Sequence, residues 1–220
     1  MITAENLSKR FGKLVALDSV SVEIGKGFTL ILGPNGGGKS TFLNLCAGLY
    51  RPSSGRIEVL GEAPWSNEGV KSRLGVSFDP PSLPKHRAGR EWLDYIARFK
   101  GADESDVLES AEMFSVTGFL DRRIGEYSAG MLKRLSLAQA FIGKPELVLL
   151  DEPLANLDFK GIKEVSETLG KLANEGLNIV AVSHIWRPLI GFADEVVVIA
   201  AGKVVLKGSP KEVITQIEEI

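Results

Sequence analysis

A glycine-rich stretch at residues 33–41 reads GPNGGGKST and matches the phosphate-loop pattern G-x-x-x-x-G-K-[ST]. It follows the apolar run FTLIL and precedes a helical pattern, which is the strand–loop–helix context that the motif requires. Glycines let backbone N–H groups close on phosphate oxygens, because a Cβ would obstruct the approach. The residues predicted to bind nucleotide phosphates are Gly33, Pro34, Asn35, Gly36, Gly37, Gly38, Lys39, Ser40 and Thr41.

Side chains in this loop, together with the acidic pair Asp151 and Glu152, predict metal-assisted transfer of a phosphoryl group. Lys39 is expected to face the β- and γ-phosphates, and the Ser40 hydroxyl is expected to bind Mg²⁺. The apolar segment LVLLDEP, residues 147–153, ends in Asp151, whose carboxylate can reach the same ion. Glu152 is placed to polarise a water for attack on the γ-phosphate. A strand-end aspartate often only caps the next helix, so this interpretation depends on the phosphate loop.

The elements that must position these residues alternate between short apolar strands and helical patterns, which is typical of an α/β fold with much parallel sheet. Three closely spaced strand patterns, at residues 1–5, 14–24 and 28–32, predict an antiparallel start. Further strands are predicted at residues 56–60, 74–78, 147–150, 179–182, 196–199 and 204–206. Helices are predicted at residues 40–49, 89–100, 104–114, 128–142 and 162–174, with a last helix begun by Ser209 and Pro210.

The strand signal is lost from about residue 80 to 125, where two helical patterns predict an inserted α-helical subdomain. On the first of these helices, one face carries Trp92, Tyr95, Ile96 and Phe99, which favours subdomain core over a ligand surface. We therefore expect one domain. Its nucleotide-binding core, residues 1–79 and 126–220, is expected to combine a mixed, largely parallel sheet with a small N-terminal antiparallel β-subdomain.

The composition excludes several classes of function. The net charge is −2, from 26 basic and 28 acidic residues, so the chain lacks the excess of basic residues that is typical of nucleic-acid-binding proteins. No nucleic-acid partner is therefore expected. Cys46 is the only cysteine and lies in an apolar helical stretch, which predicts a buried structural thiol. No apolar run approaches the roughly 20 residues that span a bilayer. We expect a soluble cytoplasmic protein that reaches a membrane only through a partner.

A second, weaker anion-binding feature lies in GEYSAGMLKR, residues 125–134. A serine, a small residue and a glycine stand where a helical pattern begins, and backbone N–H groups at such a helix start suit an anion. Taken alone, the pattern favours Ser128 as the N-cap of a plain helix.

The motifs together resemble those of the nucleotide-binding subunits of ABC transporters over essentially the whole chain. GPNGGGKST resembles the Walker A loop, LVLLDEP the Walker B strand and YSAGM, residues 127–131, the signature usually written LSGGQ. ANLD, ending at Asp158, is similar to the D-loop, and VSH, ending at His184, to the switch-histidine segment. Phe11 falls where the family places an aromatic that stacks on adenine.

The resemblance implies a P-loop NTPase fold, ATP and Mg²⁺ as cofactors, and ATP hydrolysis with Lys39, Glu152 and His184 as catalytic residues. Family members pair head to tail, so the signature of one chain would cap ATP on the Walker A loop of the other. The residues implied to act in trans are Ser128, Ala129 and Gly130. The implied partners are a second ATPase subunit, identical or different, and a separate integral membrane subunit that holds the chain at the inner face of the membrane.

The chain departs from the family pattern at three positions. Asp79 replaces the glutamine of the Q-loop, where its carboxylate could join Ser40 and Asp151 in the Mg²⁺ shell. Ala129 and Met131 replace a glycine and the glutamine of the signature. The patterns GMLKRLSLA and GREWLDYIARFKG are similar to those of the ABC-2-type exporter branch, which favours export.

The hypothesis that follows is an ATPase subunit that drives a membrane exporter. Two alternatives stay open at this level. One is a soluble ABC ATPase without a transporter, like those of iron–sulfur assembly, and the other is a regulatory module that binds nucleotide without hydrolysing it.

Overall fold

The computed structural model describes residues 1–218. The strands are β1 Ile2–Phe11, β2 Leu14–Ile24, β3 Phe28–Leu32, β4 Ser54–Val59, β5 Leu74–Ser77, β6 Leu147–Asp151, β7 Asn178–Val182, β8 Glu195–Ala200 and β9 Lys203–Gly208. The helices are α1 Lys39–Cys46, α2 Glu68–Ser72, α3 Gly89–Lys100, α4 Glu104–Met113, α5 Ala129–Phe141, α6 Phe159–Asn174 and α7 Pro210–Glu218. Every strand and helix predicted from the sequence has a counterpart, and α2 is the helix that was not predicted.

The larger sheet has the strand order β5-β6-β7-β3-β8-β9. Its first five strands are parallel to one another, and β9 joins the edge antiparallel to β8. The predicted mixed, largely parallel sheet is therefore confirmed. Because parallel strands end at the same edge of a sheet, β3, β6 and β7 bring residues 33, 151–152 and 183–184 to one place.

The smaller sheet is antiparallel, with the order β2-β1-β4. The predicted antiparallel start is confirmed for β1 and β2 but wrong for β3, which lies at the centre of the parallel sheet. β1 also runs past the predicted end at residue 5, because Phe11 still pairs with Leu14 across a hairpin at Gly12. Gly12 has a φ of 59°, a value that glycine adopts without the steric cost of a Cβ.

Two apolar layers enclose the larger sheet. Alternate residues of β3 point to opposite layers, so that Leu30 and Leu32 face one and Ile31 faces the other. The first layer contains α5, α6 and the helical segment between β5 and α5, and the second contains α1 and the smaller sheet. Cys46 is fully buried in the second layer, and burial raises the pKa of its thiol, as expected for a structural cysteine.

The predicted core face of α3 is only partly correct. Leu93 and Ala97 are buried residues of this helix, whereas Tyr95 and Phe99 are each 58% exposed. Trp92 stacks on Tyr95 with ring centroids 5.6 Å apart, so these aromatics form an apolar surface beside the buried stripe. Neighbouring helices cover only the Leu93 side of α3, which periodicity alone does not reveal. Within residues 1–218, no helix is long and apolar enough to cross a bilayer.

Candidate nucleotide-binding and catalytic site

The phosphate loop is held by close backbone approaches that only glycine permits. Gly33 has a φ of 138°, and a Cβ there would lie 2.0 Å from the carbonyl oxygen of Ile199 in β8. Gly38 has a φ of 108°, and its Cβ would lie 2.6 Å from the carbonyl oxygen of Ala16 in β2. Gly36, at the tip, has open space instead. The loop is thus pinned at both ends, while its tip is free to approach a ligand.

Lys39 begins α1 and lies almost wholly inside the loop. Its Nζ donates to the carbonyl oxygens of Gly33, at 2.8 Å, and Pro34, at 2.9 Å. Gly38, the N-cap of α1, offers no side chain to the N–H groups of the first helical turn. A cation and a helix N-terminus therefore converge on the loop, and both favour phosphate oxygens.

Ser40 and Asp151 form the candidate Mg²⁺ site. The Ser40 Oγ donates to Asp151 Oδ1 at 3.2 Å, and Asp151 is only 3% exposed. Burial raises the pKa of the Asp151 carboxyl to about 6, with further contributions from the nearby carboxylates of Glu152 and Asp79. No cluster of three or more His, Cys, Asp or Glu side chains suited to a metal occurs in the described chain. One hydroxyl and one carboxylate fit Mg²⁺ that takes its other ligands from phosphate and water.

Glu152 and His184 make a hydrogen-bonded pair beside this site. Glu152 has a φ of 48°, and its own N–H donates to the carbonyl oxygen of Val182 at 2.8 Å. Its carboxylate accepts from the backbone N–H of His184 at 3.0 Å and lies 2.7 Å from the His184 Nδ1. A non-glycine residue in the left-handed region is strained and persists only where the surroundings impose it. The strain here turns the Glu152 side chain out of the strand and towards the nucleotide cleft.

The cleft has a volume of about 290 Å³ and is lined by the β1–β2 hairpin, residues 35–41 and Glu152. Phe11 lies at its mouth and is 42% exposed. The ring packs edge-on against Tyr50 at 5.3 Å, and the Lys9 ammonium lies 5.1 Å from its centroid. These contacts orient the ring and leave part of it open, as a stacking platform for a base requires.

Replacement of Phe11 by alanine is expected to weaken ATP binding by about tenfold, because stacking of a base on an aromatic side chain contributes about 1–3 kcal/mol. Calorimetric titration of the chain with ATP measures the change. Phe99→Ala, which removes a comparably exposed aromatic from α3, is the matched control. Equal affinity of the Phe11→Ala and wild-type proteins would show that the ring does not bind adenine.

The turn at Ser128 is solvent-exposed and lies outside this cleft. Ser128 caps α5, and its Oγ accepts from the Met131 N–H at 3.2 Å, so the N-cap interpretation is correct. The hydroxyl hydrogen remains available for a second partner. Ala129 is the first residue of α5 and has a negative φ, so replacement of a glycine there introduces no strain.

Gly130 allows this turn to lie against residues 155–158, the candidate D-loop of the same chain. A Cβ on Gly130 would be 3.1 Å from the carbonyl oxygen of Asn156. Asp158 caps α6 by accepting from the Gly161 N–H at 2.7 Å. The candidate signature and D-loop thus form one exposed surface, and the candidate Walker A loop belongs to the cleft described above.

A model of the family described as ABC transporter matches residues 17–155, which is more than half of the chain. The chain belongs to the ABC transporter family. It is 32% identical over 208 residues to the lantibiotic transport ATP-binding protein SrtF of Streptococcus pyogenes, with 94% of this chain and 90% of SrtF covered. It is also 32% identical over 217 residues to the Fe(3+) ions import ATP-binding protein FbpC of Pasteurella multocida (strain Pm70). That match covers 96% of this chain but only 62% of FbpC, so the chain spans less than two thirds of this importer.

The fold is that of known ABC cassettes. The dimeric structure of MJ0796, a bacterial ABC transporter cassette, matches with a TM-score of 0.87 at 25% identity, covering 96% of this chain and 99% of MJ0796. The predicted family and fold class are therefore confirmed, as is the assignment of the chain to the ATP-binding, ATPase class. The roles of individual site residues stay predictions.

One buried charge of this ABC cassette was not predicted. Lys133 in α5 is 0% exposed, and its Nζ donates to Asp79 Oδ1 at 2.7 Å and to the Asp151 carbonyl oxygen at 3.3 Å. Its burial could have been predicted from helical spacing, because Lys133 lies on the same helix face as the apolar residues Leu137 and Ala140. The structure therefore places the Asp79 carboxylate against an ammonium group, and its role in a Mg²⁺ shell stays a prediction.

Proposed function

We propose that this ABC cassette hydrolyses ATP to drive a separate membrane-spanning partner. One observation supports the proposal: the glycine-rich loop and Glu152 line one cleft, where Ser40 hydrogen-bonds to Asp151 and Glu152 hydrogen-bonds to His184. Transfer of a phosphoryl group to water needs this combination of a cationic cradle, a metal-binding carboxylate and a group that positions the water.

Binding of ATP would use groups that the loop already holds in place. The Lys39 ammonium rests on two loop carbonyls and would exchange them for β- and γ-phosphate oxygens. Ser40 and Asp151 would hold Mg²⁺, which supplies positive charge to the phosphates when bound. Phe11 would stack on adenine at the mouth of the cleft.

Glu152 is the proposed general base. Its carboxylate would accept a proton from the water that attacks the γ-phosphate, and the backbone N–H of His184 would keep it oriented. The His184 ring, which lies 2.7 Å from the Glu152 carboxylate, would contact the γ-phosphate of bound ATP.

A complete site would need a second subunit. Ser128, Ala129 and Gly130 do not line the cleft that contains Lys39, so they would cap ATP held by another chain. The dimeric structure of the MJ0796 cassette supports this arrangement. ATP binding would close the dimer, and hydrolysis with product release would open it and move the membrane partner.

The direction of transport and the site of docking are finer points of the proposal. We propose export on the basis of the GMLKRLSLA pattern, which is similar to that of the ABC-2-type exporter branch. The relative FbpC is named as an import protein, so the relatives do not decide the direction. Docking would involve residues 79–92 and the neighbouring exposed aromatics of α3, because an exposed apolar surface beside polar residues is typical of interfaces. The chain would then lie at the inner face of the membrane.

Charge reversal at Arg87 is expected to reduce transport severalfold and to leave the basal ATPase rate unchanged. Arg87 is exposed and makes no ion pair within residues 1–218, whereas Arg90 already pairs with Asp121 at 2.8 Å. Arg87→Glu should therefore act on the partner and not on the fold. Lys171→Glu, at an exposed cation of α6, is the control.

Transport in vesicles and ATP turnover by the isolated chain are the two measurements, combined with crosslinking from position 87. Crosslinks that never reach a membrane protein would contradict the docking proposal and favour the soluble ABC ATPase. A wild-type chain that binds ATP without turnover would instead favour the regulatory module.

A further inference from the structure

The buried ammonium of Lys133 joins three parts of the cassette. It comes from α5, pairs with Asp79 in the loop after β5, and donates to the Asp151 carbonyl at the end of β6. Lys133 is 0% exposed, and the Asp79 side chain retains 28% exposure. A buried charge is costly unless it is paired and hydrogen-bonded, so this ammonium favours one relative arrangement of the three segments.

The ion pair is the end of a polar seam between α5 and β5, formed by Lys133, Ser136 and Gln139 on the helix. The Oγ atoms of Ser136 and Ser77 are 2.8 Å apart and both buried. The Gln139 Nε2 donates to the Val76 carbonyl oxygen at 3.4 Å. Spacings of three residues place these side chains along one face of α5. Hydrogen bonds have preferred lengths and directions, which apolar contacts lack, so the seam sets the axial position of α5 on β5.

The ends of this connection are functional in the proposed reaction. Lys133 lies about one helical turn beyond Gly130, so the seam determines where the turn that begins at Ser128 projects. The Asp151 carbonyl, at the other end, immediately precedes Glu152. The Lys133 side chain therefore connects the helix that carries the candidate in-trans cap, at Ser128, to the strand end that carries the candidate general base, Glu152.

We propose that Lys133 is a positioning residue for ATP hydrolysis. Through Asp79 and the Asp151 carbonyl, it holds the Ser128 turn and the acidic end of β6 in one arrangement, so that the cap and the base act together. Asp79 serves chiefly as the counter-ion of Lys133. This inference rests on the proposed function, because the turn contributes to hydrolysis only when two subunits share ATP.

A pair of reciprocal substitutions tests the inference. Lys133→Gln shortens the side chain by one link, and Asp79→Gln lengthens the opposing one by one link. The double variant therefore keeps the combined reach and replaces the ion pair by an amide–amide hydrogen bond. Lys171→Gln, which removes an exposed cation from an ion pair on α6, is the matched control. The readouts are kcat and KM for ATP, ATP affinity by calorimetry and the thermal midpoint of unfolding.

We expect Lys133→Gln to lower kcat about tenfold or more, since small displacements of reacting groups have effects of this size. ATP affinity, set by the Walker A loop of the same chain, should change less than about threefold. The double variant should recover kcat to within about threefold of wild type. In a Glu152→Gln background, Lys133→Gln should also weaken the ATP-dependent dimer.

Three results would overturn the inference. The first is a wild-type kcat in Lys133→Gln. The second is a double variant that unfolds at the wild-type temperature and stays slow, which would assign the Asp79 carboxylate to the metal and not to Lys133. The third is a parallel loss of ATP affinity and kcat, which would indicate general damage. Wild-type protein is assayed first, because absence of turnover or of an ATP-dependent dimer there contradicts the proposed function itself.

Discussion

Replacing Glu152 with glutamine is expected to convert the chain into a stable dimer in the presence of ATP. The amide keeps the shape of the side chain but cannot accept a proton from water, and loss of a positioned base slows such steps by about 10²–10⁴-fold. ATP would then persist between the subunits. In the proposed cycle, the wild-type protein hydrolyses the γ-phosphate that would join the subunits, so it should be mostly monomeric. Sedimentation with and without ATP measures the difference.

A second substitution in the same background identifies the surface that makes the dimer. Ser128→Arg places a bulky cation in the exposed turn before α5 and should return the Glu152→Gln protein to monomer while each chain still binds ATP. Ser209→Arg, at the serine that precedes α7, is the matched control. A dimer that survives Ser128→Arg would show that the turn is not the cap. A Glu152→Gln protein that binds ATP and stays monomeric would point to a different ATPase as the partner.

Replacing Lys39 with alanine is expected to abolish turnover, with a loss of about 10²–10³-fold or more in kcat, because it would remove a preorganised charge that we propose faces the transferred phosphate. ATP affinity should fall as well, since Lys39 is proposed to contact phosphates in both the bound and the transition state. Steady-state hydrolysis and calorimetric titration measure the two effects.

The Lys39 substitution needs a control for folding, because the ammonium also donates hydrogen bonds to the carbonyl oxygens of Gly33 and Pro34. Lys26→Ala, at an exposed lysine between β2 and β3, removes an equal charge without touching the loop. A Lys39→Ala protein with a wild-type unfolding temperature and near-normal turnover would contradict the assignment of residues 33–41.

The phosphate loop was predictable because its chemistry is local. In this motif the backbone N–H groups, the lysine and the hydroxyl come from one short segment, so residues 33–41 carry the whole pattern. The position of Asp151 and Glu152 at the end of a buried strand was predictable for a related reason, since both follow an apolar run directly. Their roles towards Mg²⁺ and an attacking water stay predictions. The left-handed conformation of Glu152 was not predictable, because the contacts with Val182 and His184 that impose it are distant in sequence.

Lys133 and Asp79 show the opposite case. Each is an ordinary charged residue in its own segment, and 54 positions separate them. Only the packing of α5 on β5 and β6 brings the ammonium to the carboxylate and excludes water from it. The exposure of Tyr95 and Phe99 also depends on tertiary packing. The neighbouring segments of this chain cover only part of the apolar surface of α3.

The sequence by itself determined the α/β class, the order of nearly all elements, the family and the nucleotide loop, since these depend on periodicity and on short motifs. The tertiary structure decided which strand ends meet, that β3 belongs to the parallel sheet, and that the Ser128 turn lies outside the cleft of its own chain. It also decided that Lys133 of α5 is buried against Asp79. These features arise from contacts between distant segments, whose geometry is set by the packing of the two layers on the sheet and not by any local pattern.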